Sequence, residues 1–405
     1  MNTLQKTNNK VSDFENNRIL VEDFRYYQQN MVEYFLRIIV EYISNKNNNY
    51  LKVESIVHNE VFTYSGIYQN EIDRFIVNIE KKDGEIKQFF SVYIPRLISN
   101  NYYILNGNYY VPLFYIIDKP ITIKENSISL NSLFNSITIN IKLNIVIFTG
   151  TNFIFNNFIG LFLHSDISDE ANSIRNRFGI NIDKDNLLIY FNKCFNIKGT
   201  CLDDIINHIE ILFFDEYTKS LYSNCYFNED SNLTDIIKIS IIKFLSGKIF
   251  NFIDLRNKRI CHIELLLAPL FKKAANIAYQ AKKGYPTDEL RIDQYAVLKN
   301  FLKSSGVKKK VKSKKDQSFH GLSGKTLYDL VNLQSSLLIH KASFIKPGMN
   351  TAPSSVANIH QTHFGKICPI TISSIKPGET VSIIPETYVD VFGQFLDLEE
   401  VVNEV

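Results

Sequence analysis

The sequence predicts an α+β protein with more than one domain. Short runs rich in Val, Ile, Tyr and Phe dominate residues 52–120, which favours strands, whereas residues 263–283 carry the apolar spacing of one helix face. Residues 121–250 mix both patterns and predict a separate α+β unit. The 405 residues suffice for two or three domains with sizeable cores.

The N-terminal third begins with a predicted helix over about residues 22–44, followed by strands. One helix face collects the apolar residues Phe24, Met31, Phe35, Ile38, Ile39 and Tyr42. The clearest turn among the strands is Asn106-Gly107, between β-forming runs that begin at Tyr102 and end at Val111. Both turn residues tolerate positive φ, so the pair predicts a two-residue hairpin. Asp83-Gly84 is a weaker second example.

Further elements follow from residue 121 onward. Residues 137–148 favour strands, and residues 202–220 and 235–245 favour helices. A long helix over 263–283 ends at Gly284 and Pro286, and two more helices fit 288–304 and 326–339. From Lys341 the chain contains five prolines, which predicts irregular connections with short strands.

Charge and cysteine usage limit the class of protein. A net charge of +3 excludes a polycation, so any nucleic-acid contact must come from local clusters. Residues 308–315 hold six lysines in eight positions, which fits either a solvated, mobile loop or a tether that contacts phosphates. Five cysteines, with no pair at the two-residue gap of a zinc knuckle, favour a reduced, intracellular compartment. The N-terminal residues lack the apolar core of a signal peptide, and the apolar runs are too short for a membrane span.

The residues alone show no catalytic centre. Gly321 to Thr326 is similar to a phosphate-binding loop, but Phe319 stands where that loop needs glycine, and a helix start is the favoured interpretation. His360, His363 and Cys368 supply too few local ligands for a closed zinc site. Packed histidines, or polar contacts with nucleic acid or a partner, remain the alternatives.

A family resemblance enters at the C-terminal run I-H-Q-T-H-F-G-K-I-C-P-I of residues 359–370. This run resembles the signature V-H-P-T-H-Y-G-R-V-C-P-I of the β subunit of multisubunit DNA-dependent RNA polymerases. Three further segments resemble the family in the same order. They are Ile94-Pro95 with the hairpin 103–111, the run 253–260 (similar to I-D-x-L-x-N-R-R-I), and Ile339-His340-Lys341 with Pro347-Gly348.

The resemblance implies an architecture and a role. It implies a protrusion built from residues 1–120 and 251–340, a lobe over 121–250 inserted between them, and a fork region over 341–405. Such a chain forms one wall of the cleft for DNA and the RNA–DNA hybrid, and contacts mainly backbone phosphates. The catalytic Mg²⁺ of this nucleotidyltransferase is expected on three aspartates of β′-like partner chains, with no catalytic residue here. The expected nucleic-acid contacts are Lys258, Arg259, His340, Lys341, His360, His363 and Lys366.

The expected partners follow from what a family β subunit contains. It continues far beyond this segment, so a second chain is expected to supply the rest of β, alongside β′-like chains and with or without a promoter-specificity subunit. Split subunits of this kind are typical of giant bacteriophages, which implies transcription of phage genes in the cytoplasm of the infected bacterial host. Packaging in the virion is left open.

Three departures from the family pattern matter. The family's E-T-P-E-G-P-N is replaced by residues 371–379, the two arginines after H-K are Ala342 and Ser343, and the family's fork arginines between G-P-G-G and V-H-P are absent. Because the family's fork arginines line the rifampicin pocket, we expect an enzyme that is insensitive to rifampicin. The same departures support an alternative function, a scaffold or inhibitory paralogue that keeps the β fold without transcribing.

Overall fold

The computed structural model describes residues 24–47, 51–65, 68–82, 84–98, 102–112, 114–195, 197–226, 232–248, 251, 254–282, 292–303, 308–310, 336–339, 360–367, 380–382, 384, 387, 389–390 and 392–395. Helices and sheets are both present, so the predicted α+β class is confirmed. Several sequence predictions fall outside these residues: the helix end at Gly284 and Pro286, the segment 321–326, and His340, Lys341 and Cys368.

A long helix and an antiparallel sheet begin the described chain. They are α1 (Phe24–Asn47), β1 (Leu51–Ser65), β2 (Tyr68–Lys81) and β3 (Ile86–Pro95). The predicted first helix is therefore confirmed, and Phe35, Ile38 and Ile39 of its apolar face are buried. The β2–β3 connection contains Gly84 with a φ of 80°, the conformation that the weaker turn signal indicated at that residue.

A second sheet contains the hairpin that the Asn-Gly pair predicts. Its strands, in the order β14-β6-β5-β4, are β4 (Leu97–Ile98), β5 (Tyr102–Leu105), β6 (Asn108–Pro112) and β14 (Lys308–Lys310). Leu105 pairs with Asn108, and Asn106 and Gly107 have φ values of 52° and 69°. The predicted hairpin is confirmed, because both turn residues adopt the left-handed conformation that this turn requires.

A third sheet joins distant parts of the chain. Its strands, in the order β13-β7-β15-β16, are β7 (Phe114–Asp118), β13 (Lys258–Cys261), β15 (Ser336–Ile339) and β16 (Thr380–Ser382). The sequence prediction of a helix over 326–339 is wrong at residues 336–339, and residues 326–335 lie outside the described part. The short apolar run fits a strand or a helix equally, and pairing with β7 and β16 satisfies its backbone as a strand.

A five-stranded antiparallel sheet with six helices occupies residues 121–245. The strands are β8 (Ile121–Lys124), β9 (Ser127–Asn131), β10 (Ser136–Asn140), β11 (Ile145–Phe148) and β12 (Thr151–Ile154). The helices are α2 (Phe155–Phe162), α3 (Asp169–Phe178), α4 (Lys184–Phe195), α5 (Leu202–Phe213), α6 (Glu216–Tyr226) and α7 (Leu233–Leu245).

The helix predicted over 202–220 is two helices with a break at Phe214-Asp215. Phe214 is extended, with φ and ψ of −86° and 133°, which ends α5. The Asp215 carboxylate then accepts hydrogen bonds from the Thr218 amide, at 2.8 Å, and the Thr218 hydroxyl, at 2.6 Å. A capping aspartate of this kind begins a new helix, so one apolar pattern spans two elements.

Two helices follow the third sheet's strand β13. They are α8 (Ile263–Lys282) and α9 (Ala296–Lys303). The predicted helix over 263–283 is confirmed. Within the described residues 292–303, the helix predicted over 288–304 begins at Ala296, because Asp293 accepts the amide of Tyr295 through its side chain and that of Ala296 through its carbonyl. Residues 283–291 lie outside the described chain.

The described residues form two hydrophobic cores. The first core combines residues 32–116 with residues 255–301, and Tyr217, Leu221 and Ile367 also join it. The second core contains only residues between Ile121 and Ile241. The chain therefore leaves the first core after β7, builds the second core, and returns before β13. Among the described helices, none combines the length and hydrophobicity needed to cross a bilayer.

Candidate functional site

Two segments of the family resemblance meet in space, although about a hundred residues separate them. Leu255–Asn257 and Gln361–His363 each form a 3-10 turn. The Leu255 amide donates a hydrogen bond of 3.0 Å to the Thr362 hydroxyl. We call residues 254–261 and 360–367 together the motif junction.

Asp254 organises the first side of the motif junction. Its Oδ1 accepts the Arg256 amide at 2.9 Å, and its Oδ2 accepts Nη2 of Arg256 at 2.7 Å. Burial raises the pKa of Asp254, but the hydrogen bonds from Arg256 and the charges of Arg256 and His360 lower it to below its ordinary value. The carboxylate is therefore held ionised as the cap of its turn.

The two histidines hold the second side in shape. Nδ1 of His360 lies 2.9 Å from the Thr362 hydroxyl, and the His360 amide donates to Nδ1 of His363 at 3.3 Å. His363 is buried, and His360 is half-buried. Among the described residues, no group of three or more His, Cys, Asp and Glu side chains could hold a metal ion. These contacts are those of packed histidines, one of the alternatives open from the sequence.

The end of the motif junction is tied to the chain that follows it. The Lys366 carbonyl accepts the Ile384 amide at 3.0 Å and the Thr387 hydroxyl at 2.8 Å. Ile367 joins the first hydrophobic core, and the Lys366 side chain is buried. The turn is therefore fixed at both ends.

Strand β13 carries two buried cations with carboxylate partners. Lys258 is completely buried and forms an ion pair with Asp118 of β7. Burial lowers the pKa of Lys258 despite the opposing effect of Asp118. Arg259 donates from Nη1 to Oε1 of Glu264 at 2.8 Å, and Tyr217 donates to the same carboxylate. Although burial opposes its charge, Glu264 raises the pKa of Arg259.

A C-terminal loop docks on the same strand. The Ile260 amide donates to the Gly393 carbonyl at 2.6 Å, and Arg259 forms a β-bridge with Gln394. The Asp390 carboxylate accepts the amides of Phe392 at 2.9 Å and Gln394 at 2.7 Å, which closes the loop. Gly393 and Gln394 therefore pair with the edge of β13 that faces away from β7.

The structure brings five of the seven predicted contact residues into one region, but mostly as buried groups. Lys258, Arg259, His363 and Lys366 are buried, and a direct phosphate contact by Lys258 or Arg259 would require it to leave its carboxylate partner. His340 and Lys341 lie outside the described residues. Sequence reasoning missed the partners Asp118, Glu264 and Asp390, since no local pattern distinguishes a counterion from a solvated acid.

Comparison with protein-family models gives no match for this chain, and comparison with curated proteins finds no relative.

Proposed function

We propose that this chain is a β-like subunit of a DNA-dependent RNA polymerase and forms one wall of its nucleic-acid cleft. The observation that carries the proposal is the proximity of the four segments that resemble the family. The run 253–260 contacts the last segment directly, whereas the hairpin and Ile339 are linked to it through His262 and β7. Accidental resemblances would have no reason to lie so near one another.

The connections run through named contacts. The Tyr103 hydroxyl in the hairpin lies 3.1 Å from Nε2 of His262, which follows β13 directly. Ile260 of β13 pairs with Ile116 of β7, and Ile116 pairs in turn with Ile339 of β15. The Leu255–Thr362 hydrogen bond then links the second segment to the last.

The two hydrophobic cores also support the proposal. The first core is built from chain on both sides of the second, as a protrusion with an inserted lobe would be. In this proposal Lys258 and Arg259 position β13 within the wall. The surface that contacts phosphates belongs to His340, Lys341 and the half-buried His360, while the buried His363 and Lys366 fix the turn that carries His360. The remaining β chain and β′-like chains complete the enzyme, and the β′-like chains hold its Mg²⁺.

Affinity purification from the native source tests the proposal. A tagged chain is expected to bring down a chain that completes β and β′-like chains with an aspartate triad, and the complex is expected to synthesise RNA on a DNA template. Recovery of the chain alone, or with partners that lack the triad and make no RNA, would overturn the proposal. That result would favour the scaffold or inhibitory paralogue, for which the replaced segment 371–379 is the supporting observation.

A charge reversal tests the contact surface within the same complex. Lys341→Glu is expected to weaken DNA retention and reduce elongation, because a phosphate contact becomes a repulsion. Lys142→Glu, on an exposed turn of the second core, is the matched control. Equal DNA retention by both variants and the unmodified complex would remove Lys341 from the surface.

A further inference from the structure

Phe364 stands out in the motif junction because its side chain is exposed to solvent. Its exposed fraction is 66%, whereas His363 and Lys366 around it are 6% and 8% exposed. Gly365, with a φ of 72°, turns the chain directly after it. The turn therefore buries His363 and Lys366 and leaves the aromatic ring of Phe364 outside.

The backbone that presents this ring is fixed before any partner arrives. The Phe364 amide donates to the Gln361 carbonyl at 3.3 Å, and the Ile367 amide donates to the His363 carbonyl at 2.9 Å. Two further hydrogen bonds anchor the ends of the turn. The Leu255 amide donates to the Thr362 hydroxyl, and the Ile384 amide donates to the Lys366 carbonyl. A ring on a preorganised turn loses little conformational entropy when it binds.

The surroundings of the ring favour nucleic acid over a protein surface. In the described parts of residues 254–261 and 360–395, Phe364 is the one exposed large hydrophobic side chain. Gln361 and Gly365 beside it are exposed, and the Arg256 side chain across the junction is 63% exposed. A protein interface core needs a contiguous apolar patch, whereas single-stranded nucleic acid can stack its bases on single aromatic rings.

We propose that Phe364 is a stacking platform for an unpaired base of the nucleic acid that the assembled polymerase holds. The ring faces solvent on a fixed turn, so that one base can stack on its face. Stacking recognises the face of a base, so the contact would be tolerant of sequence. This inference rests on the proposed function and assigns Phe364 a role in it.

Photo-crosslinking in the purified complex tests the inference. The analogue p-benzoylphenylalanine replaces Phe364, and the probe is a DNA template with an unpaired bubble. We expect a crosslink to the DNA strands within the bubble. A crosslink to a protein chain, or no crosslink to DNA in a complex that transcribes, would overturn the inference and leave the proposed function intact. If the unmodified complex made no RNA, both the inference and the proposed function would be overturned.

Substitutions give a second, independent measurement. With a single-stranded oligonucleotide containing 2-aminopurine as the probe, Phe364→Ala is expected to weaken binding by about 5- to 150-fold. Phe364→Tyr should retain binding, and Phe364→Leu should lose most of it, because leucine is apolar but cannot stack. Phe62→Ala, at another exposed phenylalanine in β1, is the matched control. Equal binding by the Leu and Tyr variants would contradict stacking.

Discussion

Lys258 carries a positive charge into the interior of the protein. Its side chain is 1% exposed and that of its partner Asp118 is 14% exposed, and they face each other across the β7–β13 pair. An ammonium group loses most of its hydration at such a site, and a close carboxylate offsets that cost. The pair therefore joins two strands that lie 140 residues apart in the chain.

Neutralising one member of this pair should lower the free energy of unfolding more than neutralising both members. We expect Lys258→Met to lower the free energy of unfolding by about 3–5 kcal/mol, because Asp118 is left with an uncompensated charge. The double variant with Asp118→Asn should recover most of the loss. Denaturant unfolding measures the free energy of unfolding of each variant. Lys299→Met, which breaks the exposed pair with Asp293, is the control and should lower it by less than about 1 kcal/mol. Equal losses of stability in Lys258→Met and Lys299→Met would contradict the buried pair.

Asp215 makes the stability of the α5–α6 break dependent on pH. Burial raises its pKa from 3.8 to about 6, against the opposing hydrogen bonds from Thr218. Between these values the folded state binds more protons than the unfolded state, so stability falls as the pH rises from about 4 to about 6.

Asp215→Asn should abolish this part of the pH dependence. A shift of this size corresponds to at most about 3 kcal/mol, so the unmodified protein should lose up to that amount between pH 4 and pH 7 relative to the variant. Chemical denaturation at a series of pH values measures the difference. Asp185→Asn, at an exposed acid in the first turn of α4, is the control for the loss of a carboxylate. A profile for Asp215→Asn that matches the unmodified protein would refute the raised pKa.

At the scale of elements, Gly393 allows the C-terminal loop to dock on β13. Its φ is 80°, and a Cβ atom there would lie 1.9 Å from the Ile260 carbonyl oxygen. Its own carbonyl accepts the Ile260 amide. Both the backbone conformation and the close approach therefore require glycine.

Two alanine variants separate these effects. Gly365→Ala meets open space at a φ of 72°, so it should cost only the conformational strain, about 1–2 kcal/mol. Gly393→Ala adds a backbone clash and should cost clearly more, with loss of the loop's protection in hydrogen exchange. Unfolding experiments on the two variants make the comparison. Similar losses of stability in Gly365→Ala and Gly393→Ala would show that the loop can move away from β13 without destabilising the protein.

At the scale of the whole molecule, the third sheet connects the first core to the C-terminal segments. Strand β7 pairs with β13 on one side and with β15 on the other. Both partner strands follow the second core in the sequence, so β7 joins them to the first core. The fork region proposed for residues 341–405 begins directly after β15. The family's drug-binding arginines would belong to that region, where Ala342 and Ser343 stand in this sequence.

We expect RNA synthesis by the purified complex to be insensitive to rifampicin, because the side chains that line its pocket in the family are replaced. Transcription at increasing drug concentration measures this, with a rifampicin-sensitive bacterial polymerase as the positive control. Inhibition at the concentration that stops the bacterial enzyme would contradict the expectation.

Local sequence patterns correctly predicted the elements that depend only on residues close together in the chain. The Asn106-Gly107 hairpin follows from two residues that tolerate positive φ, and α1 and α8 follow from apolar residues on one face. Within the described residues, the helix predicted over 288–304 begins at Ala296, because the Asp293 side chain accepts the Tyr295 amide just before it. The break between α5 and α6 was missed for a similar reason, because the Asp215 side chain accepts the Thr218 amide and begins a new helix there.

The sequence by itself determined the α+β class, the hairpin, the long helices and the order of the motifs. Only the tertiary structure decided that residues 336–339 form a strand, because their backbone partners β7 and β16 lie far away in the chain. It also decided that Lys258 and Arg259 are buried, since a cation's environment depends on carboxylates at Asp118 and Glu264 that folding brings beside it. Local residue chemistry acts over a few positions, whereas burial and strand pairing are properties of the assembled chain.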